Sequence, residues 1–590
     1  MSDIAALVAD YLDVWTGAIE RKSGAGRGSG KRINLYGIDR LRALILDLAV
    51  RGKLVPQDAG DEPASGLLKS IKSTKPGYLS THGLPKQRAL AEPLKHLPFE
   101  LAASWAWTRL GEIAAYIQRG KSPKYSEGSG VFVVSQRCVQ WAGLDLAVAK
   151  EISRSSLDNY EPYRFLRPGD LLWNSTGTGT IGRVIALEHV PNGLVCDSHV
   201  TVVRCPWMNA RYLQFWLASN DVYGQIEVLA AGSTNQIEWT AQLAAAQVVP
   251  VPPMAEQQRI VAKVDELMAL CDALERESAG AMEAHQALVE ILLATLVNSA
   301  DATDLALDWA RLERHFDTLF TTDASIDALK QTILDLAVRG KLVEQDTNDG
   351  SATEAISQTK LLKQELIQKK NIRKDKPSLP ITEEELPFVA PSSWEWSRIG
   401  TVALSTEYGT SRKATLAESG IIVLAMGNIK NGVVDLDAQK SIPQDSEEIP
   451  QLILKPGDIL YNRTNSYELV GKTGIFRHSN EGYSFASYLI RIRLDERTVE
   501  PEFLNMAMNT PYFRQTQVVP KITKQTGQAN VSGGAMRNML IPIPPLAEQN
   551  RIVAKVDALM ALCDALKARL ADAAQTQRHL ADAITQRAAA

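Results

Sequence analysis

At 590 residues, with 45% apolar and 22% charged side chains, the chain is too long for a single hydrophobic core and has the composition of a globular protein. A net charge of −4 and a pI of about 6.2 exclude a simple basic nucleic-acid-binding domain. Five cysteines, an odd number with no CxxC pair, exclude a disulfide framework and a zinc site.

The N-terminal MSDIAALVADYLDVW lacks the basic start, apolar run and cleavage site of a signal peptide. No apolar stretch approaches the length needed to cross a bilayer, so a cytoplasmic chain without a membrane partner is expected. SGAGRGSGKR, from Ser23 to Arg32, imitates a phosphate-binding loop. Ala25 stands where the first glycine is required, Arg32 replaces the Ser or Thr after the lysine, and no strand precedes it, so it reads as a linker. The block ILDLAVRGKLVPQD follows at Ile45–Asp58, then Trp-x-Trp at Trp105. From Trp107 to Val249, alternating apolar runs such as GVFVVS and SHVTVVRC predict strands, PGD marks a turn, and ARYLQFWLAS predicts a helix.

At Pro252 begins PPMAEQQRIVAKVDELMALCDAL. Two prolines end a strand and suit a helix start. Ile260, Val264, Leu267, Cys271 and Leu274 then step by four and three, the seam of a helix that packs lengthwise on another. Two dozen residues at ~1.5 Å each make a rod of roughly 36 Å. That is close to one turn of B-DNA, roughly 34–36 Å. Ser278–Gly280 is a candidate bend.

The chain then starts again. ILDLAVRGKLVEQD returns at Ile333, SWEWSRIGTVA at Ser393 echoes SWAWTRLGEIA at Ser104, and LKPGDILYN at Leu454 echoes LRPGDLLWN at Leu166. PPLAEQNRIVAKVDALMALCDAL at Pro544 closes the series, with the seam Ile552, Val556, Leu559, Cys563, Leu566, Leu570, Ala573, then Leu580 and Ile584. The copies lie 288 to 292 residues apart, too far for a solenoid repeat, so the chain is a duplicated pair of multi-domain halves. The predicted fold class is α/β (α+β): two tandem mixed α/β domains separated by long helices in an antiparallel coiled coil, with pseudo-twofold internal repetition. The boundaries read as 1–103, an N-terminal helical region; 104–251, the first mixed domain; 252–300, a spacer helix; 301–392, a helical linker with the second repeated block; 393–543, the second mixed domain; and 544–590, a C-terminal helix.

No catalytic constellation stands out. The eight histidines are scattered, and NTPY at Asn509–Tyr512 departs from the base-flipping motif of adenine methyltransferases at Thr510 and reads as a helix end. Cys271 and Cys563, at matching places on an apolar helix face, read as free buried thiols.

Two divergent domains, each preceded by ILDLAVRGKLV and followed by a PPxAEQxRIVAKVD helix, resemble the specificity subunit of type I restriction-modification systems, in its branch with an extended N-terminus. The resemblance implies a non-catalytic subunit with two target-recognition domains, each reading one half of a bipartite double-stranded DNA sequence. It also implies helices that carry the gap length, two docked methylation subunits and separate restriction and motor subunits. No cofactor is expected here; S-adenosylmethionine, ATP and Mg would belong to the partners. Rival readings are a methyltransferase with fused recognition domains and a coiled-coil adaptor that binds only proteins.

Base reading calls for hydrogen-bonding side chains on loops that reach a groove. In the first half the candidates are Arg119, Lys121, Ser122, Lys124 and Tyr125; then Asn174, Ser175, Thr176 and Thr178; then Thr234, Asn235 and Gln236. The matching places in the second half hold Tyr408, Thr410, Ser411, Arg412 and Lys413; then Asn462, Arg463, Thr464, Asn465 and Ser466; then Lys524, Gln525, Gln528 and Asn530. Lys and Arg number 12 against 12 Asp and Glu over Trp105–Pro250, and 16 against 15 over Trp394–Ile541. Neither domain is basic, and weak DNA binding by the isolated chain is expected, because affinity follows the cations placed at phosphates.

Overall fold

The computed structural model describes residues 4–22, 32–86, 97–177, 179–231, 238–300, 302–374, 376–416, 420–437, 440–444, 449–479, 482–525 and 527–589. The loop-like 23–31 stretch thus falls outside the described residues. The chain divides into two compact units: Met1–Gly280 with Ala573–Ala590, and Ala281–Asp572.

In the first unit, α1 (Tyr36–Val50) buries Ile38, Leu41, Leu44, Ile45 and Leu48, the three- and four-residue spacing of a core-facing helix. Gly52, at φ +71, ends the turn after it directly beneath the Trp105 ring, where only glycine adopts that backbone without strain. α2 (Ala64–Thr81) leads to β1 (Ala106–Arg109). A four-stranded sheet follows, built from β2 (Tyr116–Arg119), β3 (Asp170–Asn174), β4 (Val184–Ala186) and β5 (Val200–Arg204). Its order is β4-β3-β5-β2, antiparallel throughout. β3 and β5 are buried along their whole length, hence apolar residues on both faces, Leu171–Trp173 in one and Val202–Val203 in the other. α3 (Ala210–Leu217), capped by the Asn209 side chain, covers the sheet. β6 (Val248–Val251) pairs with β1, so the divergent stretch begins and ends on one ladder, from which α4 (Met254–Asn298) departs.

The second unit repeats the plan with α5 (Asp323–Val338), α6 (Ala352–Gln368) and β7 (Glu395–Arg398). Its sheet uses β8 (Ala403–Tyr408), β9 (Ile459–Asn462), then, past the short β10 (Thr464–Asn465), β11 (Thr473–Ile475) and β12 (Leu489–Leu494). The order β8-β12-β9-β11 matches the first unit, and two further strands, Gly432–Val434 and Ile429–Lys430, extend it. α7 (Pro501–Met508) follows, and Asn509 caps its end, as expected of NTPY. β13 (Thr523–Gln525) and β14 (Gln528–Asn530) form a hairpin with β10 at its side. β15 (Leu540–Ile543) pairs with β7, and α8 (Leu546–Ala589) ends the chain.

Why PPxAEQ is repeated so faithfully is now visible. Glu256 is fully buried and its Oε1 accepts the Trp105 indole N–H at 3.0 Å and the Gln57 amide at 2.5 Å. Glu548 accepts the Gln345 amide at 2.6 Å, and Ser393 donates to Gln345 in turn. Gln257 accepts the Asn209 N–H and donates to the Pro252 carbonyl; Gln549 accepts the Glu500 N–H and donates to Pro544. Arg259 pairs with Asp61, and Arg551 with Asp349, each at 2.6 Å. The signature is a buried polar clip joining the RGKLVxQD block, the Trp-x-Trp strand and the long helix. Such groups are costly to leave unpaired, so each member fixes the others.

The heptad seam faces the other repeated block. In the second unit Ile552, Val556 and Cys563 share one core with Ile326, Leu329, Ile333 and Leu336 of α5 and with Val289, Leu293 and Leu296 of α4. Lys330–Asp564 and Lys567–Asp327 ion pairs flank the seam. Leu559, Leu566 and Leu570 join it half-buried; Ala573 and Leu580 are exposed, and the buried series resumes one residue later at Ala581 and Ile584. Cys271 and Cys563 are buried and free.

The helices run 45 and 44 residues, unbroken through Ser278–Gly280. At ~1.5 Å per residue each is roughly 67 Å long, nearly twice the rod expected. Each contributes to both units, 254–280 and 573–589 to the first, 281–298 and 546–572 to the second. Contrary to the expectation of no span-like stretch, α4 has the length and apolar content of one. Ile260, Val264, Leu267 and Cys271, then Val289, Leu293 and Leu296, are buried in protein, while Leu288 and Ile291 stay exposed.

Candidate nucleic-acid interface

Strand register decides which loops meet. In the first unit Thr201 of β5 pairs with Arg119, and Val200 with Asn174, so the end of β2, the end of β3 and the start of β5 share one edge. In the second, Tyr408 pairs with Ile490 and Asn462 with Leu489, which brings the same three chain ends together. The opposite edge is tied by the PGD aspartates. Asp170 takes a bidentate contact from Arg204 at 2.6 and 2.7 Å, and Asp458 takes one from Arg493 at 2.7 and 2.6 Å. Each aspartate also accepts the N–H three residues before it, from Arg167 or Lys455.

At this edge of the second unit the three candidate loops converge. The Tyr408 hydroxyl accepts the Gly533 N–H at 2.8 Å, and the Arg463 guanidinium lies 4.9 Å from the Tyr408 ring centre. Thr464 donates to Asn530 at 2.9 Å, and the β10–β14 ladder sets Asn465 opposite Ala529. Ser411, Arg412, Lys413, Ser466 and Gln528 are exposed around this centre. Asn465 is half-buried, and its Oδ1 accepts the Ser466 N–H. Lys524 and Gln525 lie on β13; their side chains fall outside the described residues. Thr410 and Asn462 are buried: the Thr410 hydroxyl accepts the Arg412 N–H, and the Asn462 amide donates to Met426.

In the first unit Lys124 and Tyr125 are exposed, and the Lys150 ammonium stands 5.0 Å from the Tyr125 ring centre. Ser122 is exposed and meets the Ser198 hydroxyl at 2.9 Å. Arg119 is half-buried, donating to the Ser198 carbonyl at 2.6 Å and to Glu238 at 3.0 Å. Lys121 is held by Glu161 at 3.0 Å and by the Asn159 carbonyl. Asn174, Ser175 and Thr176 are turned inward. Asn174 donates to Gln136 and Thr180, Ser175 meets Thr201, and Thr176 meets His199 Nδ1 at 2.7 Å. They continue a fully buried strand, and their polar groups are used within the fold, on neighbouring loops and strands. Thr178, Thr234, Asn235 and Gln236 lie outside the described residues.

The loop before the last sheet strand escaped the sequence reading. Asp197–His199 and Ser487–Tyr488 sit at the centre of the two edges, with Tyr488 46% exposed. Burial raises the Asp197 carboxyl above its ordinary range, and its Oδ1 accepts the His199 N–H. The signal was available: Asp197–His199 separates the apolar pair Val195–Cys196 from the strand that follows, and Ser487–Tyr488 separates Phe485–Ala486 from the matching one.

Two similar folds with unlike polar side chains at one equivalent edge define a protein that reads surfaces rather than one that transforms them. Residues 103–282 and 391–575 match the type I restriction modification DNA specificity domain, and the chain belongs to that family. It is 35% identical to the EcoEI specificity subunit of a type I restriction enzyme from Escherichia coli, covering 99% of both chains. The E. coli EcoAI specificity subunit is also 35% identical, again over 99% of each. The solved HsdS subunit from Thermoanaerobacter tengcongensis is 19% identical over 83% of this chain and 98% of that one, with a TM-score of 0.39. The chain is a specificity subunit of a type I restriction-modification system, the member that recognises the DNA target and carries no catalysis.

Proposed function

We propose that this subunit reads a bipartite double-stranded target, one half-sequence per unit, with an unspecified gap between. The observation that carries this reading is the pair of equivalent edges with unlike tips: Ser122, Lys124 and Tyr125 in one, Tyr408, Ser411, Arg412 and Lys413 in the other. Cations there hold phosphates while hydroxyls and amides meet base edges. The domains of recognition are 104–251 and 393–543, and the long helices form an antiparallel coiled coil between them. Two methylation subunits dock on the repeated surfaces, and restriction and motor subunits join them. S-adenosylmethionine, ATP and Mg are held by those partners, in the cytoplasm.

The test is the map of methylated adenines in a genome carrying this subunit with its partners. A split motif is expected, and replacing Ser411–Lys413 should change one half of it alone. An unbroken motif, or both halves changing together, overturns the reading. S-adenosylmethionine binding by the isolated chain would support a fused methyltransferase instead.

A further inference from the structure

Away from the reading edges, each unit has a groove between its second repeated helix and the first strand of its closing ladder. The first, of about 1010 Å³, runs between α2 and β1; the second, of about 640 Å³, between α6 and β7. Lys72, Lys75 and Lys86 line the first; Lys360, Lys363 and Lys374 line the second, each 288 residues on.

The helices that carry these lysines have otherwise diverged. Over 64–80 and 352–368, only Ala64/Ala352, Lys72/Lys360 and Lys75/Lys363 are identical. Two of the three have structural reasons. Ala64 and Ala352 are buried, and their N–H groups donate to the carbonyls of Ser104 and Ser393. Lys75 donates to the Gly111 carbonyl at 2.6 Å, and Lys363 to Gly400 and Ala403 at 2.9 Å. Lys72 and Lys360 are exposed and have no partner among the described residues. The groove acids are otherwise engaged: Glu112 accepts the Thr108 hydroxyl, and Glu395 that of Thr353. An ammonium kept in both copies without a use inside the fold points to one ligand met twice.

Position selects the class of ligand. The grooves adjoin Leu110–Ile113 and Ile399–Val402, just before β2 and β8, whereas the reading loops follow the far ends of those strands. At ~3.3 Å per residue the separation is about 10 to 20 Å along the sheet. DNA held at the reading edge lies on the other side of each domain. The walls also offer apolar surface, Leu68 and Trp107 in one and Ile367 and Trp396 in the other, each half-buried, with Leu379 62% exposed.

We propose that these paired grooves dock an acidic, amphipathic segment of the methylation subunit, one copy per groove, with Lys72 and Lys360 as the charge contacts. This rests on the reading of two methylation subunits given above. The test uses the full-length chain with its purified methylation subunit, followed by sedimentation and by a salt titration of assembly. Lys72→Glu with Lys360→Glu should weaken assembly at least tenfold and flatten its salt dependence. Either change alone should leave one methylation subunit tightly bound, with thermal unfolding of the free chain unmoved. Lys69→Glu, which reverses a groove lysine with no counterpart (Ser357), should weaken assembly several-fold less than Lys72→Glu. Unchanged assembly in the double variant overturns the groove while leaving the proposed function intact. So does a change confined to the salt dependence of DNA binding, which would assign the lysines to phosphates. A wild-type chain that binds no methylation subunit overturns both.

Discussion

Gly120 and Gly409 occupy matching places just after the strands that feed the candidate loops. A Cβ at either would fall inside contact distance of the carbonyls of the facing loop, Cys196 and Asp197 in one unit and Phe485 and Ala486 in the other. Neither backbone is left-handed, so the requirement is closeness alone. Gly409→Ala should therefore lift the Tyr408–Lys413 loop from its seat and cost about 1–3 kcal/mol, as overpacking does. A shifted urea midpoint, with one half of the methylation motif relaxed and the other intact, is the expected pair of results. Asp335 gives a second prediction at this scale. Its counterpart Asp47 is paired with Arg51 at 2.7 Å, but Arg339 lies instead against the Phe388 and Tyr512 rings. Burial, opposed only in part by the Tyr512 N–H and Arg339, pushes the Asp335 carboxyl up to about 6. The folded state then binds the proton more tightly than the unfolded one, so the stability this group contributes falls as pH rises from about 4 to 6. Asp335→Asn should stabilise by on the order of 1–3 kcal/mol at pH 7 and by little at pH 3.5. Equal urea midpoints at pH 7 would refute it.

At the scale of elements, the most faithful blocks are faithful because they touch. α1 and α5 present the ILDLAV face, the long helices present the heptad seam, and the RGKLV tails reach the ends of those helices. Lys53 donates to the Ala589 carbonyl at 2.8 Å; Lys341 donates to Val297 and Ser299 at 2.9 and 2.8 Å. A cation on the last carbonyls satisfies acceptors that a helix cannot satisfy itself and opposes its dipole. Each repeated block thus binds the beginning of one long helix and the end of the other.

That exchange makes a prediction for the whole molecule. Residues 573–590 belong to the first unit although they end the second half of the sequence. There Asp582 takes the Arg40 guanidinium at 2.8 Å and the Tyr36 hydroxyl at 2.8 Å. Truncation after Asp572 strips these partners from α1. Hydrogen exchange should rise across 36–50 by a factor of ten or more while 323–338 keeps its protection. Equal loosening of both helices would show that the units do not fold as drawn.

Duplication, the strand-rich middle of each half, the helix after PPxAEQ and the membership of the family were legible in the amino-acid order, because spacing and repetition are local properties of a chain. The exposure of the outer tip of each candidate loop was legible too, Lys124 and Arg412 among them, since polar residues in glycine-bearing loops rarely pack inward. Burial of Asn174, Ser175, Thr176, Thr410 and Asn462 was not, because identical residue types serve a surface or the inside of the fold according to what lies above them. Nor was the role of Glu256 and Glu548, whose partners stand some 150 to 200 residues away in the chain. Sequence alone determined the elements and their doubling. Tertiary structure decided which chain ends share an edge, which polar groups face solvent, and which half of each long helix belongs to which unit, because pairing across a fold depends on distances that residue order does not encode.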